Sequence, residues 1–449
     1  MSTIEKHDMT QGKILLPLVS FTIPLVLGNL FQLTYNAADS VIVGKYVGEQ
    51  ALAAVGTSTP IMNIAILLIS GMCMGASVLM SSQYGAKDYD TLSRQISTTM
   101  LAGCGFSVVF SLLMLLLANP VLRLIRVPET AIPEAAAYLR IIFMGLIFTF
   151  MYNFLANTMR ALGDSKTPLY FLVTSAFLNI FGDLFFVVVL RWGVAGSAIA
   201  TVFSEGLCCL LCGIYIKKKI PLLCLGKKWW VFDKSLLGKT VSYGSTSAMQ
   251  QVCLQLGKLI IQSVVNTQGV AVMAAFTAVN RVDDFAYTPQ QNIGHAMTTF
   301  LAQNKGAGHK ERMKKGFQTG LLIELVYSIG LFCVIWGLAP QIMTLFAEDG
   351  DAQVVSLGIS YLHLISWMYI LPGLTNGVQG FFRGIGDLKV TLYSTFMNMF
   401  GRVVAVFVMI RLLQMEFASL AWANMVGWIV MLLFEVPLLV KFMRNGECG

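Results

Sequence analysis

The sequence predicts an all-α integral membrane protein, with twelve transmembrane helices in two parallel six-helix repeats (lobes) around a central cavity. Three observations predict it. Hydrophobic residues make up 56% of the 449 residues and charged residues only 12%, against about 25% charged in soluble domains. Twelve apolar stretches each reach the roughly 20 residues that carry a helix across a bilayer. A loop motif from the first half also recurs in the second. So few charges rule out a disordered chain, a nucleic-acid-binding domain and almost any soluble enzyme of this size. Sheets are excluded because an open sheet cannot satisfy its backbone in lipid.

The stretches run in order. Residues 1–13 are polar and mixed in charge, and the apolar run after them is too long for a signal-peptide core, so no signal peptide is expected. The first six spans are 14–43, 51–82, 95–119, 131–158, 167–190 and 194–216. A basic segment, 217–239, follows, with Trp229 and Trp230 suited to a membrane interface. The second six are 238–264, 270–302, 316–346, 352–380, 388–411 and 416–440. Several exceed the minimum and call for tilt or extension. Pro24 removes a backbone hydrogen bond inside the first span, so a kink is expected there. The pairs Gly71/Gly75 and Gly373/Gly377 have the GxxxG spacing that lets helices approach closely.

Twelve spans put both termini on one side. Of the 31 basic residues, 22 fall in the termini and even-numbered loops, six in the odd-numbered loops and span ends, and three (Lys258, Arg281, Arg402) within spans. This asymmetry places both termini in the cytoplasm. It also accounts for the net charge of +8 without nucleic acid.

The repeat is explicit. RALGDSKTPLY at 160–170 returns as RGIGDLKVTLY at 383–393, 223 positions on, and SSQYGAKDYDTLSR at 81–94 answers AQNKGAGHKERMKK at 302–315. LNIFGD at 178–183 matches MNMFGR at 397–402 after a four-residue deletion, which aligns Asp183 with Arg402, and Asp39 aligns near Ile261. The expected organisation is an N-terminal lobe at 1–220, a cytoplasmic linker at 221–235 and a C-terminal lobe at 236–449. Parallel repeats favour alternating access, with substrate between the halves.

Ionisable groups within spans cost at least about 2.5 kcal/mol each at the bilayer centre. The candidates are Asp39, Asp183, Glu205, Lys258, Asp283, Asp284, Glu324, Arg402 and Glu435. Depth sorts them. Asp39 lies six residues before Lys45, Asp183 eight before Arg191, and Thr201 seven after Val194. At 1.5 Å per residue all three sit roughly 9–12 Å below the outer surface. Asn179 is one turn before Asp183 and shares its face. Two carboxylates, an amide and a hydroxyl at one level can hold a proton or Na⁺, or face a cationic substrate. Lys258 and Arg402 make the second half locally basic, with Glu324 or Glu435 as candidate partners.

Other chemistry is excluded. GKT at 238–240 lacks the Walker glycine, since Asp233 stands there. GIGD at 384–387 follows no strand and is no dinucleotide fingerprint. Cys208, Cys209 and Cys212 lie inside an apolar helix and read as small buried hydrophobes. The four histidines are scattered. No enzyme, cofactor or metal site is expected, apart from Na⁺ at Asp39 and Asp183.

RALGDSKTP (160–168), RGIGDLK (383–389) and QNKGAGHKER (303–312), in a chain of two six-span halves, resemble the multidrug and toxic compound extrusion (MATE) family. NIFGDLFF (179–186) followed by WGVAGSAIAT (192–201) is similar to its fifth and sixth helices. The resemblance implies a secondary antiporter that exports cationic amphipathic drugs or metabolites in exchange for H⁺ or Na⁺. It implies an ion site of Asp39, Asn179, Asp183 and Thr201, with Tyr35 lining the same lobe. Some relatives carry acidic residues in helices seven and ten; here those helices offer Gln250, Gln251, Lys258 and Gln379. Tyr35, Asn157, Gln251, Lys258, Asp284 and Arg402 are the expected substrate-cavity residues. The alternative is a lipid or lipid-linked oligosaccharide flippase of the same superfamily, which usually resembles a fourteen-span pattern. The expected setting is the plasma (cytoplasmic) membrane, as a monomer without nucleic acid or an obligate protein partner.

Overall fold

The computed structural model describes residues 8–125, 127–129, 131–220, 230–346, 352–413, 417 and 419–444. Most of the predicted linker, with Trp229, lies outside them. Among the described residues, fourteen α-helices make twelve spans. In the first half these are α1 (Leu15–Tyr46), α2 (Glu49–Gly85), α3 (Tyr89–Leu124), α4 (Ile132–Met144) with α5 (Leu146–Ala161), α6 (Lys166–Asp183) and α7 (Gly193–Lys219). The second half has α8 (Lys234–Val265), α9 (Val270–Gly306), α10 (Lys310–Phe346), α11 (Ala352–Ser366) with α12 (Ile370–Gly384), α13 (Leu388–Phe407) and α14 (Ser419–Arg444).

Among the described residues, nine helices are long and apolar enough to cross a membrane, and α4 with α5 forms a tenth span bent by 47°. The other two, α8 and α9, are as long but more polar, because they carry Lys258, Asp283, Asp284 and a run of amides. Large apolar side chains such as Leu116 and Leu345 point outward, as a surface facing acyl chains requires.

Residues 23–248 form one compact unit; residues 9–22 with 249–444 form another. The change from the first unit to the second falls within α8, after Ala248. The start of α1 packs with the second unit up to Thr22, two residues before Pro24, and the start of α8 packs with the first up to Ala248. α1 stays helical across Pro24.

Each leading segment is clasped by polar side chains. In the first unit, the Val231 amide donates to Ser97 Oγ (3.0 Å) and the Asp233 amide to Thr98 Oγ1 (3.1 Å), while Arg94 pairs with Asp233 at 2.8 Å. In the second, the Met9 amide donates to Gln303 Oε1 (3.2 Å). Arg312 donates from Nη1 to the Gly12 carbonyl (2.7 Å), and from Nη2 to those of Gln11 (2.8 Å) and Met9 (3.1 Å). At the turn into α3, Asp88 accepts from the Thr91 amide at 3.1 Å; the Thr91 hydroxyl first, and this amide second, hold its carboxyl below the usual range.

Close helix contact falls where the glycine spacing predicts it. A Cβ on Gly71 would lie 2.6 Å from the Ala248 Cα, and one on Gly75 only 2.5 Å from the Tyr243 carbonyl carbon.

The repeat is visible in the backbone and corrects its own alignment. The α4/α5 break at Gly145 recurs as a 3₁₀ turn at Trp367–Tyr369. π-helical segments follow α6 (Leu184–Val189) and α13 (Val408–Leu412). Both features keep the 223-residue spacing within a residue, so the four-residue deletion is not there. Arg402 is the counterpart of Asn179, and Val406 that of Asp183. A four-residue slip preserves the face of a helix, which is why the motif match misled.

Arg312→Ala is expected to release the leading segment, seen as faster tryptic cleavage after Lys13; unchanged cleavage would show that the clasp is idle. Gly75→Val should cost about 1–3 kcal/mol of stability through overpacking, measured as a lower thermal midpoint.

Candidate functional site: an acidic cluster and a mixed-charge pocket

In the first unit, α1, α6 and α7 bring together the four residues predicted from depth. Asp183 is fully buried and Asn179 is 3% exposed. Asp183 closes α6 where the backbone passes into the π segment. Asp39 on α1 is half-buried and faces Asp183. Ser197 Oγ donates to Asp39 Oδ1 at 2.8 Å. Thr201 Oγ1 donates to the Ser197 carbonyl at 3.1 Å and accepts from Asn179 Nδ2 at 3.2 Å. Ser197 thus links Asp39 to the amide, a role that the sequence reading did not assign.

Three buried oxygens are left without a donor: both of Asp183 and Oδ1 of Asn179. Two facing carboxyl groups with uncommitted lone pairs can hold a proton or a metal cation between them. The set also fits Na⁺, a hard cation that takes oxygen ligands. A third carboxyl group stands nearby. Glu205 on α7 accepts from Thr149 Oγ1 at 2.5 Å, and Tyr35 and Tyr138 lie close enough to feel Asp39 and Glu205. Tyr35 therefore lies beside this cluster. Asn157 bonds back to the Asn153 carbonyl (2.8 Å) on its own helix.

The second unit holds a pocket of about 340 Å³ lined by residues of α8, α9 and α13. Lys258, Asp283, Asp284 and Arg402 all line it; Gln251 does not, and Gln255, one turn on, takes its place. Lys258 pairs with Asp284 at 3.3 Å. Asp283 is 4% exposed and accepts from Tyr361 Oη at 3.0 Å and Tyr369 Oη at 2.5 Å. Behind it, Asn424 Nδ2 donates to Tyr361 Oη at 2.8 Å. The expected pairing of Lys258 and Arg402 with Glu324 or Glu435 is corrected. Glu324 is buried with neither carboxyl oxygen bonded, and the basic group that Glu435 feels is Arg383. Asp284 is one turn before Thr288 on α9 and directly within reach of Lys258, whereas Glu324 and Glu435 sit on α10 and α14.

Spans of this length and buried charge in two repeated units define a multi-pass membrane transporter. A family model described as MatE matches residues 24–185 and 247–408, and the chain belongs to that family of efflux transporters. The two matched ranges are themselves 223 residues apart, in agreement with the backbone register. The chain is 32% identical to a probable multidrug resistance protein, YpnP, of Bacillus subtilis, over 87% of this chain and 86% of that one. It is 21% identical to a FAD transporter of Shewanella oneidensis over 86% and 87%. Its fold matches an outward-facing multidrug resistance MATE transporter of the MOP superfamily, at TM-score 0.91 and 22% identity over 100% and 99% of the chains.

Ser197→Ala removes the hydroxyl that donates to Asp39 Oδ1. A hydrogen bond to a charged group contributes about 1.5–3 kcal/mol. The ion concentration for half-maximal transport should therefore shift about tenfold or more, with the thermal midpoint unchanged; an unmoved ion dependence would separate Ser197 from the site.

Proposed function

We propose that this efflux transporter is a secondary antiporter that exports cationic amphipathic drugs or metabolites in exchange for H⁺ or Na⁺ by alternating access. The observation that carries the reading is the facing pair Asp39 and Asp183, with three buried oxygens that have no donor. Such a site can be neutralised by an incoming ion or left to attract a cation, and both cannot be held at once. Exclusive occupancy is what couples two fluxes. One charge crossing 100 mV is worth about 2.3 kcal/mol, enough for roughly a fiftyfold substrate gradient. Asn179 and Thr201 fix the level of the ion, Ser197 orients Asp39, and Tyr35 and Tyr138 flank the carboxyl groups. Pro24 lies lower in α1, two residues beyond the point where that helix changes units, and is the proposed place for bending to follow ion binding.

The basic-residue asymmetry supports a cytoplasmic-membrane protein with both termini in the cytoplasm. Nothing beyond the bilayer, the ion and the small-molecule substrate is needed for this cycle, so it is proposed to run in a monomer without a cofactor. The name of the Bacillus relative supports drug-like cargo.

The test is efflux of a fluorescent cationic dye from proteoliposomes, with H⁺ and Na⁺ gradients imposed separately. Wild type should export under one of them. Asp39→Asn and Asp183→Asn should each abolish coupled export while unfolding at the wild-type temperature. Normal export by either variant would overturn the assignment, and no dye movement under any gradient would favour lipid translocation.

A further inference from the structure

We propose that the 340 Å³ pocket of the second unit is a binding site for the anionic group (carboxylate, sulfonate or phosphate) of an amphipathic organic ligand, held by Arg402. This deepens the export reading by naming a second ligand chemistry, in the half that lacks the Asp39–Asp183 pair.

Both carboxylates of the pocket are already engaged. Asp284 is paired with Lys258 at 3.3 Å, and Asp283 accepts from two tyrosine hydroxyls at 3.0 and 2.5 Å. Arg402 feels the charge of Asp283 across the pocket, but no carboxylate among the described residues lies within ion-pair distance of it, and its buried Nε has no acceptor. A guanidinium inside a span faces a water-filled cavity or finds a counter-charge. Its planar fork matches a two-oxygen acid group better than any neutral acceptor does. The pocket supplies the rest of a ligand site. Leu259, Ile261 and Phe276 offer apolar surface, and Gln255 and Asn280 offer amides. Its volume lies at the lower end of the range for drug-sized ligands, about 300–1,000 Å³.

The repeat sharpens the point. Arg402 stands where the first unit has Asn179, and Lys258 stands where it has Tyr35, each 223 positions on. The same fold position thus carries a cation-seeking amide beside two carboxylates in one unit and a fixed cation in the other.

Binding can be read without transport, so failure of the export reading leaves this test intact. The full chain in nanodiscs is titrated by calorimetry with 2-naphthalenesulfonate, with its cationic counterpart 2-naphthylmethylammonium, and with inorganic sulfate. The sulfonate is expected to bind at one site per chain. Arg402→Gln should weaken it about tenfold or more, and Arg402→Lys should weaken it less. Asn280→Trp fills the pocket, keeps every charge and should abolish the same heat, which serves as the second test if Arg402→Gln does not fold. Sulfonate binding unchanged in Arg402→Gln or in Asn280→Trp overturns the proposal. So does an ammonium that binds as tightly at the same site, and so does inorganic sulfate binding as tightly as the aryl sulfonate.

Discussion

A charge placed inside a membrane must find its counter-charge, its donors or water within the protein, and both units are organised by that requirement. Removing a carboxylate from water costs several kcal/mol even after relaxation. In the first unit the requirement is left partly unmet, because Asp183 and Asn179 hold oxygens with no donor. In the second, tyrosines hold Asp283 and Lys258 pairs with Asp284, while Glu324, Glu435 and Arg402 keep buried polar atoms without a hydrogen-bond partner.

The helices serve this difference. Long α8 and α9 are less apolar than the other spans because they carry the pocket's polar lining. A π segment directly after Asp183 changes the helix register at the point where the carboxyl group must face Asp39. π-bulges often occur at functional sites, where they re-aim side chains. The same device follows α13, where the paired repeat position has lost the acid. The backbone of the repeat has been retained while its chemistry has diverged.

The leading segments show a second consequence of the repeat. Each is held by polar groups of the unit it packs with, by Arg94, Ser97 and Thr98 in one case and by Gln303 and Arg312 in the other. Backbone carbonyls and amides outside regular helices need such partners. The positions of these side chains, near the ends of α3, α9 and α10, place the donors beside that backbone.

The sequence alone determined the spans, because hydropathy over twenty residues is a local property that the bilayer enforces. It also pointed to Asp39, Asn179, Asp183 and Thr201 as residues that could meet, because rise and periodicity within a helix are nearly constant. Only the tertiary structure decided what touches what across helices. Ser197 as the link to Asp39, the tyrosine clasp on Asp283, the pairing of Lys258 with Asp284, and the exchange of leading segments all depend on rotation and crossing of neighbouring helices. The repeat register belonged to the structure as well. A shift of one helical turn keeps the face and most of the hydropathy pattern, so the letters of LNIFGD and MNMFGR could not reveal that Arg402 replaces Asn179, whereas the lengths of the folded helices could.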